Sequence, residues 1–283
     1  MEDDAGTYAV LTDPSAVVPP VPRDGPPGSV RWLRANVARF SSGDEHARRR
    51  RLVLDDLAGI DVDLLRREAF ERTVAMVGAT RGEPFDVMAV LARPVPVGVL
   101  AEALGLPDIA AEIAADIAVV AKAYHPHVEP DEAAERALSR LIVVCGGTPD
   151  EVTAARIGLL IQACDATAGL IGNALLALLR GKFAGSVEEL LAVVARVDPP
   201  VLTTRRVVRG ELVVLRLTDG LAFGAGPKAC PGRSPAFALA AGIVAALRGC
   251  RLVEREIPYE LSPNLRMPAV LLMTAAGTVG PLC

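Results

Sequence analysis

The residues with the clearest potential for chemistry lie in a short segment near the C-terminal end of the chain. Residues 223–232 contain three glycines, two prolines and a single thiol, Cys230. This composition can neither continue a helix nor pair as a central strand, so it predicts a shaped loop that presents the thiol. An apolar helix is predicted for 234–248, and the partial positive charge at its N-terminus favours the thiolate form of Cys230, which binds metals.

A second set of polar residues lies just before the basic run 48–51 and extends into it. Ser42 or Asp44 can cap a helix here, which places His46 and Arg50 four residues apart on one face. Cationic donors at this spacing suit a carboxylate ligand. A basic helix face in contact with solvent is the commoner explanation of such a pair.

A long apolar helix of about thirty residues is predicted between a capping box at 148–151 and a stop at 180–182. One face carries residues without large apolar side chains, which predicts room for a flat ligand: Gly158, Gln162, Asp165, Gly169 and Gly172. Asp165 is the only carboxylate between Glu151 and Glu188, so a functional role is predicted for it. The alternative is a buried acid paired with an arginine such as Arg50.

Composition limits the class of protein. The 283 residues, 51% of them apolar, permit one large domain or two small ones, and a net charge of −4 argues against nucleic-acid binding. Asp165 near the centre of the apolar helix favours a core helix over a membrane span. The N-terminus shows no signal peptide. The cysteines are scattered without a Cys-x-x-Cys pair, which is typical of a reducing cytoplasm and excludes an obvious zinc site: Cys145, Cys164, Cys230, Cys250 and Cys283.

The spacing Phe-x-x-Gly-x-x-x-Cys-x-Gly, at Phe223, Gly226, Cys230 and Gly232, resembles the haem-binding loop of the cytochrome P450 family. The resemblance implies one mainly helical domain with small β-sheets over residues 1–283, in which Cys230 is the axial ligand of haem b. It also implies that the loop glycines, including Gly224, admit backbone N–H groups near the sulfur. The alternative is a glycine-rich turn with a buried cysteine.

The resemblance further implies which cations contact the haem propionates. His46 and Arg50 match the family's His-x-x-x-Arg pair, and Lys228 supplies the basic residue two positions before the cysteine. A strand predicted for 203–208 matches the one that carries another propionate ligand. Arg205 and Arg206 are both candidates for that role.

The long apolar helix resembles the family's distal helix, where an acid followed by a threonine delivers protons for oxygen activation. Asp165 matches the acid, but Ala166 replaces the threonine, and Thr167 lies one position later, about 100° further round the helix. Gln162 replaces a small residue, so it is predicted to fill distal space or to hydrogen-bond a ligand.

Other departures concern the scaffold. Arg196 matches the family's Glu-x-x-Arg pair, but Val193 replaces the glutamate, so Arg196 is predicted to be partly exposed or to find another carboxylate. Relative to the family that the chain resembles, the N-terminal sheet region and the segment before the cysteine loop are shortened.

The remaining pattern gives coarser predictions. Helices are predicted over 62–79, 107–124, 132–144 and 187–196, with another over 85–106 that breaks at 93–96. Strands are predicted at 8–12 and 211–217, and one or two hairpins over 251–279. His125-Pro126-His127 is predicted to be a surface turn rather than a metal site.

If the resemblance holds, the protein is a cytoplasmic haem-thiolate monooxygenase that acts on a small apolar molecule of the secondary-metabolite type and receives electrons from a ferredoxin-type partner. It would bind neither nucleic acid nor membrane. Two alternatives stay open because Ala166 and Val193 depart from the family. One is a non-oxygenating haem enzyme, and the other is a degenerate binding protein without haem.

Overall fold

The computed structural model describes residues 4–106, 110–181, 183–254, 256–262 and 264–275. Within these ranges the α-helices are Asp4–Thr12 (α1), Val30–Asn36 (α2), Gly43–Ala58 (α3), Val62–Ala79 (α4), Pro94–Ala103 (α5), Ala110–Ala123 (α6), Glu132–Cys145 (α7), Glu151–Leu179 (α8), Val187–Val197 (α9) and Arg233–Ala246 (α10). The strands are Phe85–Asp86 (β1), Thr203–Val208 (β2), Glu211–Arg216 (β3), Arg251–Leu252 (β4) and Leu272–Thr274 (β5). The prediction of a mainly helical fold with small sheets is confirmed.

Helix α8 is the centre of the fold. Asp150 caps it by accepting a hydrogen bond from Thr153 N–H, and its 29 residues extend about 44 Å. It alone in the described part of the chain is long and apolar enough to cross a membrane, but most of it is buried inside the protein. The N-terminal half shares one hydrophobic cluster with α2, α5, α6 and α7, and the C-terminal half shares another with α4, α9 and α10.

Two small antiparallel sheets complete the described structure. Strands β2 and β3 form a hairpin, and Arg209 and Gly210 both have positive φ at its turn (52° and 87°), as a tight two-residue turn requires. Strand β5 lies between β1 and β4 in the other sheet. Strands β4 and β5 follow one another in the chain and pair antiparallel, so one hairpin of those predicted over 251–279 is formed, with a long connection in which Tyr259 and Pro268 make an isolated antiparallel bridge. Residues 276–279 lie outside the described ranges.

Two predictions of secondary structure are wrong. Residues 8–12 belong to helix α1, because Leu11 is buried against Leu215 and Leu217 and this packing outweighs the local preference for strand. The helix predicted from Phe85 begins later, since Phe85 pairs with Met273 in the sheet. The helices predicted over 62–79, 132–144 and 187–196 are confirmed, and α6 is described from Ala110.

Candidate functional site

The segment before α10 folds into a tight loop around Cys230. The Cys230 N–H donates to Phe223 O at 2.7 Å, and the Ala229 N–H donates to Gly226 O at 3.1 Å. Gly224 and Gly226 have φ of 66° and 65°, a conformation that glycine adopts without strain. The thiol at the end of this loop is exposed, as the sequence predicted for a presented ligand.

Glycine is also required here by close approach. A Cβ on Gly226 would lie 2.8 Å from Leu11 O and 2.9 Å from Thr12 Cα, so helix α1 supports the loop from below. Gly232 differs, because a Cβ there would make only an ordinary contact, 4.0 Å from Cys230 Sγ. Phe223 packs against Phe237 of α10 with ring centroids 5.4 Å apart, and Arg233 covers the Phe223 ring.

The protein atoms around Cys230 control its ionisation. Burial raises the pKa of the thiol, although the side chain remains accessible to solvent. The Gly232 N–H and the charges of Arg50 and Arg39 act in the opposite direction. The expected preference for thiolate in the free protein is therefore not found, because desolvation outweighs the donors at the start of α10.

Three cationic side chains and one histidine form a cluster beside the loop, here called the cation cluster: Arg50, Arg206, Lys228 and His46. His46 is 9% exposed, and burial together with the charges of Lys228 and Arg50 lowers its pKa to about 4. Burial and the charges of Arg206 and Arg50 lower the pKa of Lys228 to about 8. Lys228 Nζ donates a hydrogen bond to Ser41 O, which joins the cysteine loop to the segment before α3.

The geometry of strand β2 shows which of its two arginines lies with the cation cluster. Successive side chains of a strand point to opposite faces, and here Arg206 is buried while Arg205 is exposed. Arg206 contributes to the low pKa of His46 and Lys228, which Arg205 does not. Arg206, and not Arg205, therefore belongs to the cation cluster.

No member of the cation cluster forms an ion pair with a carboxylate among the described residues. Like charges brought together and partly buried disfavour one another, as the lowered pKa values of His46 and Lys228 show. The donor set therefore suits a ligand that carries more than one carboxylate.

Helix α8 is continuous, but its burial is interrupted by a short stretch that is open to solvent. Between Thr153 and Leu176, the positions that are not buried are Arg156, Gln162, Ala163, Asp165 and Ala166. The last four lie within about one and a half turns and are called the window below. In the window, Gln162 is exposed and its side-chain amide donates to Gly158 O of its own helix at 2.9 Å.

Asp165 is held in the window by an ion triad. Arg93, which precedes the first residue of α5, places Nε 3.3 Å from Asp165 Oδ1 and Nη2 2.6 Å from Glu260 Oε1. The side chains of Asp165 and Arg93 are 25% and 21% exposed. The alternative interpretation of Asp165 as an acid paired with an arginine thus applies, but the partner is Arg93 and not Arg50.

Solved structures with a similar fold identify the architecture. No protein-family model and no curated protein sequence matches the chain. The structure of CalO2 superposes with a TM-score of 0.78 at 18% identity, over 96% of this chain and 89% of that one. P450BioI, in complex with an acyl carrier protein ligated to hexadec-9Z-enoic acid, gives 0.74 at 18% identity, over 96% and 91%. P450 RauA, complexed with a biosynthetic intermediate of aurachin RE, gives 0.72 at 20% identity, over 97% and 90%.

This chain has the cytochrome P450 fold. At these identities the likeness establishes the fold alone, so the fit of a haem must be judged on the chain's own residues. An accessible cysteine in a glycine-rich loop, with three cations and a histidine that lack carboxylate partners, is what a haem b with two propionates needs. The residues present therefore fit the group.

Some residues singled out on the sequence lie elsewhere in this P450 fold. Thr167 is buried, about 100° round α8 from Ala166, and does not reach the window. The glycines of α8 leave no room for a flat ligand, because protein fills the space beside them: Val37 contacts Gly158, Pro200 contacts Gly169 and Pro268 contacts Gly172. Their function is close packing of segments onto the core helix.

The residues behind the cysteine loop follow the prediction more closely. Arg196 is exposed, as expected for an arginine without the family's glutamate. Glu189 completes a capping box with Ser186 at the start of α9 and is not available to Arg196. Sequence reasoning missed Arg93, because its partners Asp165 and Glu260 are remote in sequence and the local pattern at 93–96 indicates only a helix break.

Proposed function

We propose that this protein binds haem b through Cys230 and acts as a haem-thiolate monooxygenase on a small apolar substrate, with electrons from a ferredoxin-type partner. The observation that carries the proposal is the accessible Cys230 thiol next to a cation cluster that lacks carboxylate partners. When bound, the haem would supply activation of dioxygen and insertion of one oxygen atom into the substrate.

The chain's own residues would bind and tune that group. Cys230 would ligate the iron, and the Gly232 N–H would moderate the charge on its sulfur. His46, Arg50, Arg206 and Lys228 would bind the propionates, whose negative charge removes the repulsion within the cation cluster.

Asp165 would handle protons at the window. Arg93 Nε binds its Oδ1 and so fixes the orientation of the carboxylate. In this proposal the other oxygen, Oδ2, accepts protons from water and passes them into the site. Asp165→Asn should slow turnover at unchanged haem content. Glu260→Gln is the matched control, because it removes one charge from the same triad and leaves the proton carrier; equal slowing in both variants would remove Asp165 from the mechanism.

The apolar substrate is proposed from the ligands of proteins with the same fold. P450BioI was solved with a long-chain acyl group on its carrier protein, and RauA with an intermediate of aurachin biosynthesis. An apolar ligand is also consistent with the alanines of the window, Ala163 and Ala166.

The first test is the optical spectrum of the purified protein after reduction and addition of carbon monoxide. A red-shifted Soret band is expected from a thiolate-ligated ferrous haem. Cys230→Ala should abolish this band, and Cys250→Ala, which alters a buried cysteine remote from the loop, should retain it. Absence of haem absorbance after growth with added haem precursor would contradict the proposal and favour a binding protein with a P450 fold.

A second candidate function follows from the window itself. Because Ala166 has no hydroxyl and Thr167 is buried, helix α8 itself offers no alcohol beside Asp165 in the window. A haem enzyme that uses peroxide or rearranges its substrate needs no such alcohol. Turnover supported by peroxide but not by dioxygen and reduced ferredoxin would favour this candidate over the monooxygenase.

A further inference from the structure

Two residues before α3 belong to no helix or strand. Ser41 and Ser42 are extended, with φ of −107° and −136°, and follow a short 3₁₀-helix at Ala38–Phe40. Helical hydrogen bonds do not fix the position of such a pair, so contacts from other parts of the chain must do so. Ser41 and Ser42 are called the link below.

The link contacts two of the elements that carry the cation cluster. Ser41 O accepts a hydrogen bond from Lys228 Nζ of the cysteine loop. An ammonium has three N–H donors, so this contact leaves two for a ligand. Ser42 directly precedes the first residue of α3, the helix that carries His46 and Arg50. The position of the link therefore determines how far Lys228 lies from the pair on α3.

The link also reaches strand β2, which carries Arg206. Ser42 Oγ does not cap α3, because it accepts a hydrogen bond from Val18 N–H at 3.1 Å. The preceding residue, Val17, exchanges two backbone hydrogen bonds with Val207, at 3.1 and 2.8 Å. Since Val207 follows Arg206 in the strand, all three elements of the cation cluster are joined at the link.

A buried arginine holds the link in place. Arg49 lies in α3 and is only 4% exposed. Its Nη1 donates a hydrogen bond to Ser41 Oγ at 2.5 Å, and Ser41 Oγ in turn donates to Val37 O at 2.7 Å. The other nitrogens of Arg49 bind Asn36 Oδ1 at 3.2 Å and Glu151 Oε1 at 2.8 Å. The guanidinium thus ties the link to the end of α2 and to the N-terminus of the central helix α8.

A charge partner for Glu151 does not require a buried arginine. Arg48 binds the same carboxylate at 2.7 Å from an exposed position. Burial of a cation is unfavourable unless a counter-charge and hydrogen bonds compensate it, so the burial of Arg49 calls for a separate reason. The contact that distinguishes Arg49 from Arg48 is the one with Ser41, and a planar guanidinium can make it together with the contact to Glu151.

We propose that Arg49 is a positioning residue, which holds the link so that the members of the cation cluster converge on one anionic ligand. This inference deepens the proposed function and rests on it, because that ligand is the pair of haem propionates. Arg49 does not touch a propionate in this proposal and acts through Ser41.

The test uses two porphyrins, haem and haem dimethyl ester, whose esterified propionates carry no charge. Each is titrated into the haem-free protein, and its dissociation constant is measured at the Soret band. The unaltered protein should bind haem more tightly than the ester. Arg49→Gln should weaken haem binding about tenfold and leave binding of the ester unchanged, because only charged propionates need the cation cluster in place.

Arg48→Gln is the matched control. It removes the same charge from the same helix and another hydrogen-bond partner of Glu151, but from an exposed side chain. Its affinity for both porphyrins should equal that of the unaltered protein.

A second variant tests the contact without loss of a buried charge. Ser41→Ala removes the hydroxyl that Arg49 contacts and keeps Ser41 O for Lys228. It should weaken haem binding about threefold and leave binding of the ester unchanged. If Arg49→Gln does not fold, this variant decides.

A second measurement needs no porphyrin. In the haem-free protein the amide hydrogens of Val18 and His46 donate to Ser42 Oγ and Ser42 O. Their exchange with solvent should be about tenfold faster in Arg49→Gln and unchanged in Arg48→Gln, because the link is then held less firmly.

The outcomes separate the inference from the proposed function. Equal weakening of both porphyrins by Arg49→Gln would overturn the inference, since Arg49 would then act through overall stability. Unchanged haem binding in Arg49→Gln and Ser41→Ala, or unchanged amide exchange, would also overturn it. Equal affinity of the unaltered protein for haem and the ester would overturn it together with the propionate assignment. A protein that binds neither porphyrin, yet shows faster exchange in Arg49→Gln alone, would refute the proposed function and retain Arg49 as the positioning residue of the cation cluster.

Discussion

The two charged groups of the candidate site differ in how their charges are balanced. In the ion triad, Arg93 is bound by both Asp165 and Glu260, so each charge has a partner within the protein. In the cation cluster, His46 and Lys228 have lowered pKa values because neighbouring cations and burial act on them together. The triad is complete in the free protein, whereas the cluster becomes balanced only when an anionic ligand binds.

This difference separates residues that hold the fold together from residues that hold a ligand. Breaking a partly buried ion pair destabilises the folded protein, because it leaves a charge without a partner. Removing one of several unpaired like charges relieves repulsion and weakens only ligand binding. Ligand affinity and protein stability should therefore respond in opposite ways in the two groups.

The largest expected effect is on haem affinity. In the double variant Arg50→Gln and Arg206→Gln, haem binding should weaken about a thousandfold, because two charge-assisted hydrogen bonds are lost. The haem-free protein should be no less stable. The measurement is a haem titration followed at the Soret band.

The matched control uses the arginine next to Arg50 in α3 and the arginine next to Arg206 in β2. The double variant Arg51→Gln and Arg205→Gln removes the same charge from α3 and β2, but both side chains are exposed. Its haem affinity should equal that of the unaltered protein. Equal weakening in both double variants would show that net charge, and not the cation cluster, determines haem binding.

The next effect concerns acid stability of the haem-free protein. His46 has a pKa of about 4 when folded, below its ordinary value of 6.5, so its contribution to stability is present above pH 6.5 and is lost as pH falls to about 4. The loss should be about 2–3 kcal/mol. Urea unfolding at pH 7 and pH 4 measures it, and His46→Gln should remove that part of the pH dependence.

The same pH dependence should be smaller in the haem-loaded protein than in the haem-free protein. The propionates would give protonated His46 a partner, so the loss between pH 6.5 and 4 should shrink in the haem-loaded protein. An identical pH dependence with and without haem would contradict the assignment of His46 to the propionates.

Local spacing was sufficient to place neighbouring side chains of the candidate site. The cysteine loop and the helix with His46 and Arg50 each lie within one short segment, where spacing alone determines which side chains share a loop or a face. The choice between Arg205 and Arg206 depended on which face of β2 is covered, and that is decided by packing from remote segments.

The remaining part of the site depends on contacts across the chain. Arg93 lies 72 residues before Asp165 and 167 before Glu260, so no local pattern links the triad. The glycines of α8 illustrate a different limit. Spacing placed them on one face, but whether that face meets a ligand or Pro200 and Pro268 is set by tertiary packing.

A smaller effect tests the triad itself. Arg93→Gln should lower the free energy of unfolding by about 1–2 kcal/mol, less than for a fully buried pair because Arg93 is partly exposed. Haem affinity should not change. Arg67→Gln, at an exposed position of α4, is the control for loss of one charge. A stability equal to that of the unaltered protein would mean that the triad is not what holds Asp165 in the window.

The smallest expected effect extends the comparison to a second paired group, at the N-terminus of α8. Hydrogen bonds from Arg48 and Arg49 lower the pKa of Glu151 to about 2 from its ordinary value of 4.5. Its contribution to stability is therefore present above pH 4.5 and is lost as pH falls through about 2, which is a lower pH range than that of His46.

Glu151→Gln should lower the free energy of unfolding by about 1 kcal/mol at pH 7, since the carboxylate is partly solvated, and by almost nothing near pH 2. Urea unfolding at both pH values measures the difference, with Glu132→Gln, an exposed acid paired with Arg136, as the control that should change neither value. If Glu151→Gln lowered the free energy of unfolding equally at both pH values, Glu151 would act through its shape and not through its charge. The pH range of His46 would then be the remaining pH-dependent difference between paired and unpaired charges.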